Sequence, residues 1–216
     1  MKTGVIAFCG SKGSGKSTAS TIFKEHFTGP TEELAFAGHL KDVCSKIFDI
    51  NINHFLDPAL KECELDSYVN LTRGNIQAVL QEFNQIHFDY NQHVRTHVGQ
   101  VFDTPRSLLQ YIGTEVLHPL DPLIHVKATL DNKDPNKLTI ITDLRFVHEY
   151  IYLNNLPKVA TVYVANLVAE SRAKSDNHKS EREIFLFKDE CRLLDNNHDL
   201  VALTSGIKTL VKEWYA

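Results

Sequence analysis

The chain has 216 residues, 43% of them hydrophobic and 23% charged, with a net charge of −4. That length suits one α/β domain with excursions, and the mild acidity argues against a surface that coats a nucleic-acid polymer. No apolar run approaches the roughly 20 residues that span a bilayer, and Cys9, Cys44, Cys63 and Cys191 are scattered without a C-x-x-C pair, as reduced thiols in a cytoplasm would be.

Residues 5–9 (Val-Ile-Ala-Phe-Cys) form a short apolar run with the length of a strand buried on both faces. A chain that enters a strand this early carries the expectation of no signal peptide. Residues 10–17 then match G-x-x-x-x-G-K-[ST], the phosphate-binding loop. Gly10, Gly13 and Gly15 let the backbone curl so that successive N–H groups face phosphate oxygens. Lys16 at this spacing reaches the β- and γ-phosphates, and the Ser17 hydroxyl ligates Mg²⁺. A helix over 17–27, with Ala19, Ile22 and Phe23 inward, adds its N-terminal dipole to the anion site. The candidate nucleotide-binding residues are therefore Gly10, Gly13, Ser14, Gly15, Lys16, Ser17 and Thr18, with ATP and Mg²⁺ as expected ligands.

Thr28-Gly29-Pro30 stops this helix, and residues 33–36 are a weak strand candidate. Residues 37–48 follow with a helical pattern that puts Leu40, Val43, Cys44, Ile47 and Phe48 on one face. Lys41 within it reads most simply as a solvated lysine. Residues 51–101 are polar, rich in Asn, Gln and His, and short of breakers. Ile76, Val79, Leu80 and Phe83 recur there at helical spacing, so an α-helical insertion is expected. His87, His93 and His97 lack a strong ligand spacing and a Cys partner, and read as solvated or core histidines. Thr104-Pro105 starts a helix to about Leu117, with Thr as N-cap and Pro at the first helical position. Arg106, Gln110, Gly113 and Thr114 fall along its edge. They form either an exposed polar stripe or a surface that holds a base or phosphate. Asp121-Pro122 opens another helix to about residue 131.

Residues 137–142 are a buried strand ending at Asp143-Leu144-Arg145. An acidic residue where a second parallel strand emerges beside a phosphate loop is where Mg²⁺ and its waters need a carboxylate. Capping of the next helix, over 146–155, is the other reading of Asp143. Arg145, two residues on, reaches toward a transferring phosphate. Residues 159–164 are the next strand. Residues 171–182 are polar without apolar periodicity, either a flap over phosphates or a solvated linker. Residues 200–203 read as the last strand, with Ser205 capping a C-terminal helix. The alternation predicts a P-loop kinase-like α/β fold, a parallel sheet of about five strands with helices on both faces and the site at the strand C-termini.

Several of these pieces together resemble the deoxynucleoside monophosphate kinases of bacteriophages, the T-even and related type. Phe36-Ala37-x-x-Leu40-Lys41 is similar to that family's motif after the second strand. Arg106-x-x-x-Gln110-x-x-Gly113-Thr114-Glu115 resembles its R-x-x-x-Q-x-x-G-T-[DE] helix. Asp143-Leu144-Arg145-Phe146, with Glu149 after it, resembles its D-x-R-F-x-x-E strand end. Lys174-Ser175 and His178-Lys179-Ser180-Glu181 sit where its flap carries K-S and H-x-[ST]-E. Order and rough spacing match over nearly the whole chain.

The resemblance implies transfer of the ATP γ-phosphoryl group to the 5′-phosphate of a deoxynucleotide. Lys12, Lys16, Arg145 and Arg172 would screen charge between donor and acceptor, with Asp143 and Ser17 on the metal. Arg106 and Gln110 would hold the acceptor, together with Phe36, Ala37, Lys41, Gly113, Thr114, Lys174, His178 and Glu181. It further implies one kinase domain over 1–216, with a helical acceptor-binding insertion at about 37–132 and a flap at about 171–182. The expected partners are a deoxynucleoside monophosphate and a second copy in a homodimer, with no membrane and no nucleic-acid polymer. The expected location is the cytoplasm, that of the host for a phage protein. Two alternatives stand beside this reading: a P-loop kinase for another small phosphorylated metabolite or coenzyme precursor, and a nucleotide-gated binding protein. The guanine-reading N-K-x-D of dedicated GTPases is absent from the sequence.

Overall fold

The apolar run at the N-terminus forms β1 (Gly4–Cys9) at the middle of a five-stranded sheet, where both its faces are covered. The computed structural model describes residues 3–57, 59–85, 90–174 and 182–215. The strands are β1, β2 (Thr31–Leu34), β5 (Leu138–Leu144), β6 (Val159–Ala165) and β7 (Arg192–Asp195), in the order β2-β5-β1-β6-β7. Every pairing in this sheet is parallel. All five strands therefore point their C-terminal ends the same way, and the turn after β1 opens at that edge.

The chain divides into two compact units, one of residues 1–35 and 132–216, the other of residues 36–131. The first holds the sheet. Ile6 and Phe8 of β1 pack with Val162 and Val164 of β6 against α1 (Lys16–His26) and a C-terminal helix, α10 (Leu200–Tyr215). Phe8, Phe23 and Ile207 are fully buried there. Truncating a ring at such a position costs about 3–5 kcal/mol, because the cavity it leaves closes only in part.

The C-terminal end of the chain departs from the sequence expectation. Residues 200–203 are not a strand but the first turn of α10, and Ser205 lies within that helix rather than at its cap. The Asp199 carboxylate accepts the Ala202 N–H at 2.9 Å, so the cap is Asp199. Leu203, Ile207, Leu210 and Val211 are buried at helical spacing, whereas Leu200 and Val201 are exposed. A run of four apolar residues fits strand and helix equally well, and here the helix face decides. The last strand is β7, an edge strand with only Leu194 buried, which leaves little apolar pattern to read.

The second unit is mainly helical. It comprises α2 (Gly38–Phe48), α3 (Asn53–Leu56), α4 (Arg73–Glu82), α5 (Tyr90–His97), α6 (Pro105–Tyr111) and α7 (Ile124–Asp131). Its own core joins Leu40, Phe55, Ile76, Leu80, Leu108 and Ile112. Two caps set its helices: Thr72 accepts the Asn75 N–H at 3.1 Å, and Thr104 accepts that of Ser107 at 3.2 Å, with Pro105 at the first turn. A small antiparallel ribbon, β3 (Val69–Asn70) with β4 (Val101–Phe102), also lies in this unit, where helix alone was expected. No helix among the described residues is long and apolar enough to cross a membrane.

Candidate active site

The loop after β1 is shaped by three glycines at positive φ: Gly10 at 141°, Gly13 at 81° and Gly15 at 98°. A Cβ on Gly10 would lie 2.7 Å from the Ser14 Oγ and the Val164 carbonyl, so a side chain there would fill the cradle. The Lys16 ammonium turns back into the loop and donates to the carbonyls of Gly10 at 2.7 Å and Ser11 at 2.9 Å. Gly15 starts α1 in a left-handed conformation, and no side chain caps the helix. The first-turn N–H groups of an uncapped helix thus face the loop, and no acidic residue sits in that turn to oppose an anion. Ser14 is fully buried and its Oγ has no hydrogen-bond partner among the described residues. Glycine cradle, ammonium and helix N-terminus together fit a polyphosphate. Ser17 and Thr18 are exposed on the same first turn, and Lys12 is exposed on the loop itself.

Asp143 lies at an irregularity in the sheet. Ala7 pairs with Ile141, but Cys9 pairs with Leu144, so β5 carries one extra residue where β1 has Phe8 alone. Such a bulge re-aims side chains and recurs next to active sites. Asp143 sits in it, half-buried, beside the last pairs of β1 before Gly10. The carboxylate is a hard oxygen donor, as is the Ser17 hydroxyl, and that donor set suits Mg²⁺, which keeps most of its shell as water and phosphate. The N-cap of the following helix, α8 (Val147–Asn154), is Phe146. Glu149, in its first turn, holds the helix start: its carboxylate accepts the N–H groups of Arg145 and Phe146, both at 2.9 Å.

Glu149 is 6% exposed, and its carboxyl is pushed up to about 7, chiefly by burial, with the Asp143 charge adding to the shift. The two N–H bonds and the Arg145 charge pull the other way. This buried carboxyl fixes the backbone between Asp143 and α8, and so the direction in which Arg145 leaves the strand. Below the loop, Cys9 Sγ lies 3.8 Å from Cys191 Sγ. The Cys9 thiol is held protonated by that contact and by burial.

Arg172 is exposed on α9 (Leu167–Lys174), of which Lys174 is the last residue. The expected flap continues over residues 175–181, so that His178 and Glu181 lie outside the described residues. A cavity of about 250 Å³ between β7 and α10 is lined by Arg192, Asp195, His198 and Thr209 and includes neither the loop nor Asp143. A phosphate loop grips its ligand with backbone on an open strand edge, so a deep cavity is no guide to it.

In the second unit, Arg106 and Gln110 are both exposed on α6, one turn apart. Arg106 Nε is ion-paired with Glu62, and both side chains are well exposed. The helix continues as a π-helical segment over Ile112–Leu117, with the His118 N–H on the Gly113 carbonyl five residues back, at 3.1 Å. That change of period separates residues expected along one edge. Thr114 stays exposed and donates to the Gln110 carbonyl at 2.7 Å, whereas Gly113 is buried, its Cβ position 3.2 Å from Leu40 Cδ2. π-Helical insertions are frequent at functional sites. Phe36 is buried, and Ala37 and Lys41 are half-buried at the start of α2. His93 bonds the Val116 carbonyl at 2.8 Å and His97 bonds the Tyr111 hydroxyl at 3.0 Å, both serving this helix. His87 lies outside the described residues.

Two further residues were given no role from the sequence. Glu149 belongs to the strand-end motif, but its part as the acceptor of two N–H groups is visible only once α8 is placed. Asn196 follows β7 and donates to the Ser14 carbonyl at 2.8 Å. The available signal was an Asn-Asn-x-Asp run ahead of a helix, hidden by reading residues 200–203 as a strand.

No protein-family model matches the chain. It is 26% identical over 221 residues to the "Putative deoxynucleotide monophosphate kinase" of Acanthamoeba polyphaga mimivirus, a match that spans 96% of this chain and 95% of that one. Among solved structures it is similar to the crystal structure of TT1252 from Thermus thermophilus, at 15% identity over 99% of this chain and 98% of that one, with a TM-score of 0.42. The five-stranded parallel sheet flanked by helices, with the glycine loop after β1, is consistent with a P-loop kinase-like core, a fold compatible with nucleotide phosphotransfer.

Proposed function

We propose that the chain is a deoxynucleoside monophosphate kinase that transfers the ATP γ-phosphoryl group to a deoxynucleoside 5′-monophosphate, giving the diphosphate and ADP. The observation that carries this reading is the glycine loop with Lys16 turned back onto its Gly10 and Ser11 carbonyls, next to the β5 bulge that holds Asp143. The substrate class is supported by the similarity to the viral deoxynucleotide monophosphate kinase, which the chain matches over nearly its whole length.

In this reading a 5′-phosphate oxygen of the acceptor attacks the γ-phosphorus, the bond to the β–γ bridging oxygen breaks, and ADP leaves with that electron pair. There is little covalent work for the protein to do, so its residues position groups and stabilise charge. The N–H groups of residues 13–18 hold the polyphosphate. Lys16 follows the charge that builds on the transferring oxygens, with Lys12, Arg145 and Arg172 spreading it further. Ser17 and Asp143 would hold Mg²⁺, which when bound would neutralise part of the polyphosphate charge. Arg106 grips the acceptor phosphate, leaving its exposed pair with Glu62, which is worth no more than about 1 kcal/mol. Gln110 reads a base edge with its amide. Phe36, Ala37, Lys41, Gly113 and Thr114 complete acceptor recognition, with Lys174, His178 and Glu181 contributed by the flap.

The test is a coupled ADP-release assay across all deoxy- and ribonucleoside monophosphates. Release stimulated by one or more deoxynucleotides well above the ribonucleotides supports the reading. Stimulation by none of them reopens the substrate class.

A further inference from the structure

Three asparagines outside the sequence motifs tie the ends of β6 and β7 to the phosphate loop. Asn196 Nδ2 donates to the Ser14 carbonyl at 2.8 Å. Its own backbone is held on both sides: its N–H on the Ala165 carbonyl at 2.8 Å, and its carbonyl by Asn166 Nδ2 at 2.8 Å. Asn166 Oδ1 also accepts the Ala169 N–H at 3.0 Å, which anchors the start of α9. Asn197 Oδ1 accepts the Leu167 N–H at 2.6 Å. The contact with the loop is close: a Cβ built on Gly15 would collide with the Asn196 amide nitrogen.

A trans peptide is planar, with its C=O and N–H antiparallel. Fixing the Ser14 carbonyl toward Asn196 therefore fixes the Gly15 N–H in the opposite direction. We propose that Asn196 is a positioning residue for phosphate binding, one that holds the Ser14–Gly15 peptide plane so that the Gly15 N–H faces the anion before any nucleotide arrives. The glycines make the loop pliable, since each loses more freedom on ordering than any other residue. A loop ordered by Asn196 in advance gives up less on binding than one ordered by its ligand. The tie also links the loop to α9, which carries Arg172. This inference rests on the reading of residues 10–18 as a polyphosphate site.

The test compares the full-length chain with Asn196→Ala and Asn196→Asp. The second keeps size and shape but cannot donate to a carbonyl. ATP binding by titration calorimetry is expected to weaken about tenfold or more in both. Amide hydrogen exchange is expected to rise in residues 10–18 while β6 and β7 keep their protection. Both variants retain the backbone bonds of residue 196, so melting temperatures within a few degrees of wild type are expected. Unchanged ATP affinity overturns the proposal and leaves the nucleotide reading standing. Loss of protection across β6 and β7, or failure of both variants to fold, also overturns it, since Asn196 would then be a residue of the fold. A wild-type chain that does not bind ATP at all overturns the nucleotide reading itself, and this inference with it.

Discussion

The phosphate loop and helix α6 present their candidate groups in opposite ways. At the loop the recognising groups are backbone N–H, aimed by Gly10, Gly13 and Gly15 at positive φ and by the start of α1. On α6 they are the side chains of Arg106 and Gln110, standing on an exposed helix face, one of them already paired with Glu62. Backbone recognition depends on conformations that few residue types can adopt, so the glycine spacing carries the information. Side-chain recognition depends only on where a helix face points, and most polar faces simply meet water. An equal number of motif residues therefore says much more about a ligand in the first unit than in the second.

The largest effect expected is at the loop. Lys16→Ala should lower kcat by at least about 10²-fold, the scale of removing one donor from developing charge, with the fold retained, since its ammonium bonds the Gly10 and Ser11 carbonyls of the loop. Steady-state kinetics together with a melting curve check this. Retention of half the turnover would remove Lys16 from the mechanism. Next, Asp143→Asn should reduce turnover by about 10- to 100-fold and raise the Mg²⁺ concentration needed for half-maximal rate. A Mg²⁺ titration of the rate reads this directly, and an unchanged midpoint would deny Asp143 its metal role.

The third concerns the carboxyl that fixes the end of β5. Glu149 titrates at about 7 in the folded chain against an ordinary 4.5. The folded state thus holds the proton over a pH range in which the unfolded chain has released it. Its contribution is fully present below about pH 4.5, is lost as pH rises to about 7, and is level above that. The span is on the order of 3 kcal/mol. Glu149→Gln keeps an oxygen acceptor for the Arg145 and Phe146 N–H groups but does not titrate. The unfolding free energy of the variant should therefore gain on wild type between about pH 4 and 8, as read by denaturant titrations. Parallel pH profiles would contradict this.

The second unit should respond more weakly and more selectively. Arg106→Ala should raise KM for the monophosphate about ten- to a hundredfold, the loss of a charge-assisted bond of roughly 1.5–3 kcal/mol, with KM for ATP unchanged. Gln110→Ala should instead change the ranking among bases. Initial rates over a grid of both substrates separate the two, and equal weakening of ATP and monophosphate would dismiss α6 as the acceptor wall. Smallest of all, Glu62→Gln should lower KM for the monophosphate by about threefold or less, since it frees Arg106 from an exposed pair.

What could be read in advance follows the same division. β1, the loop and α1 were legible because a buried central strand is apolar throughout and the loop demands glycine. The start of α6 was legible from Thr104-Pro105, a cap whose two residue types each have one local reason to be there. β7 was not, because an edge strand with one buried side chain has no alternation to detect. The β5 bulge was not, because register is a property of the pairing and not of either strand. Nor was the π segment that buries Gly113, since a helical wheel assumes one period throughout. Asn196 escaped for a related reason: its partner, Ser14, is 182 residues away.

The most direct test of the central claim follows the phosphorus itself. The chain is incubated with ATP labelled at the γ-position and a deoxynucleoside monophosphate, and the products are separated. The account predicts label in the deoxynucleoside diphosphate, one equivalent for each ADP formed, and almost none as inorganic phosphate. Label released mainly as inorganic phosphate, at a rate indifferent to the monophosphate, would contradict it and identify a nucleotide-hydrolysing switch instead.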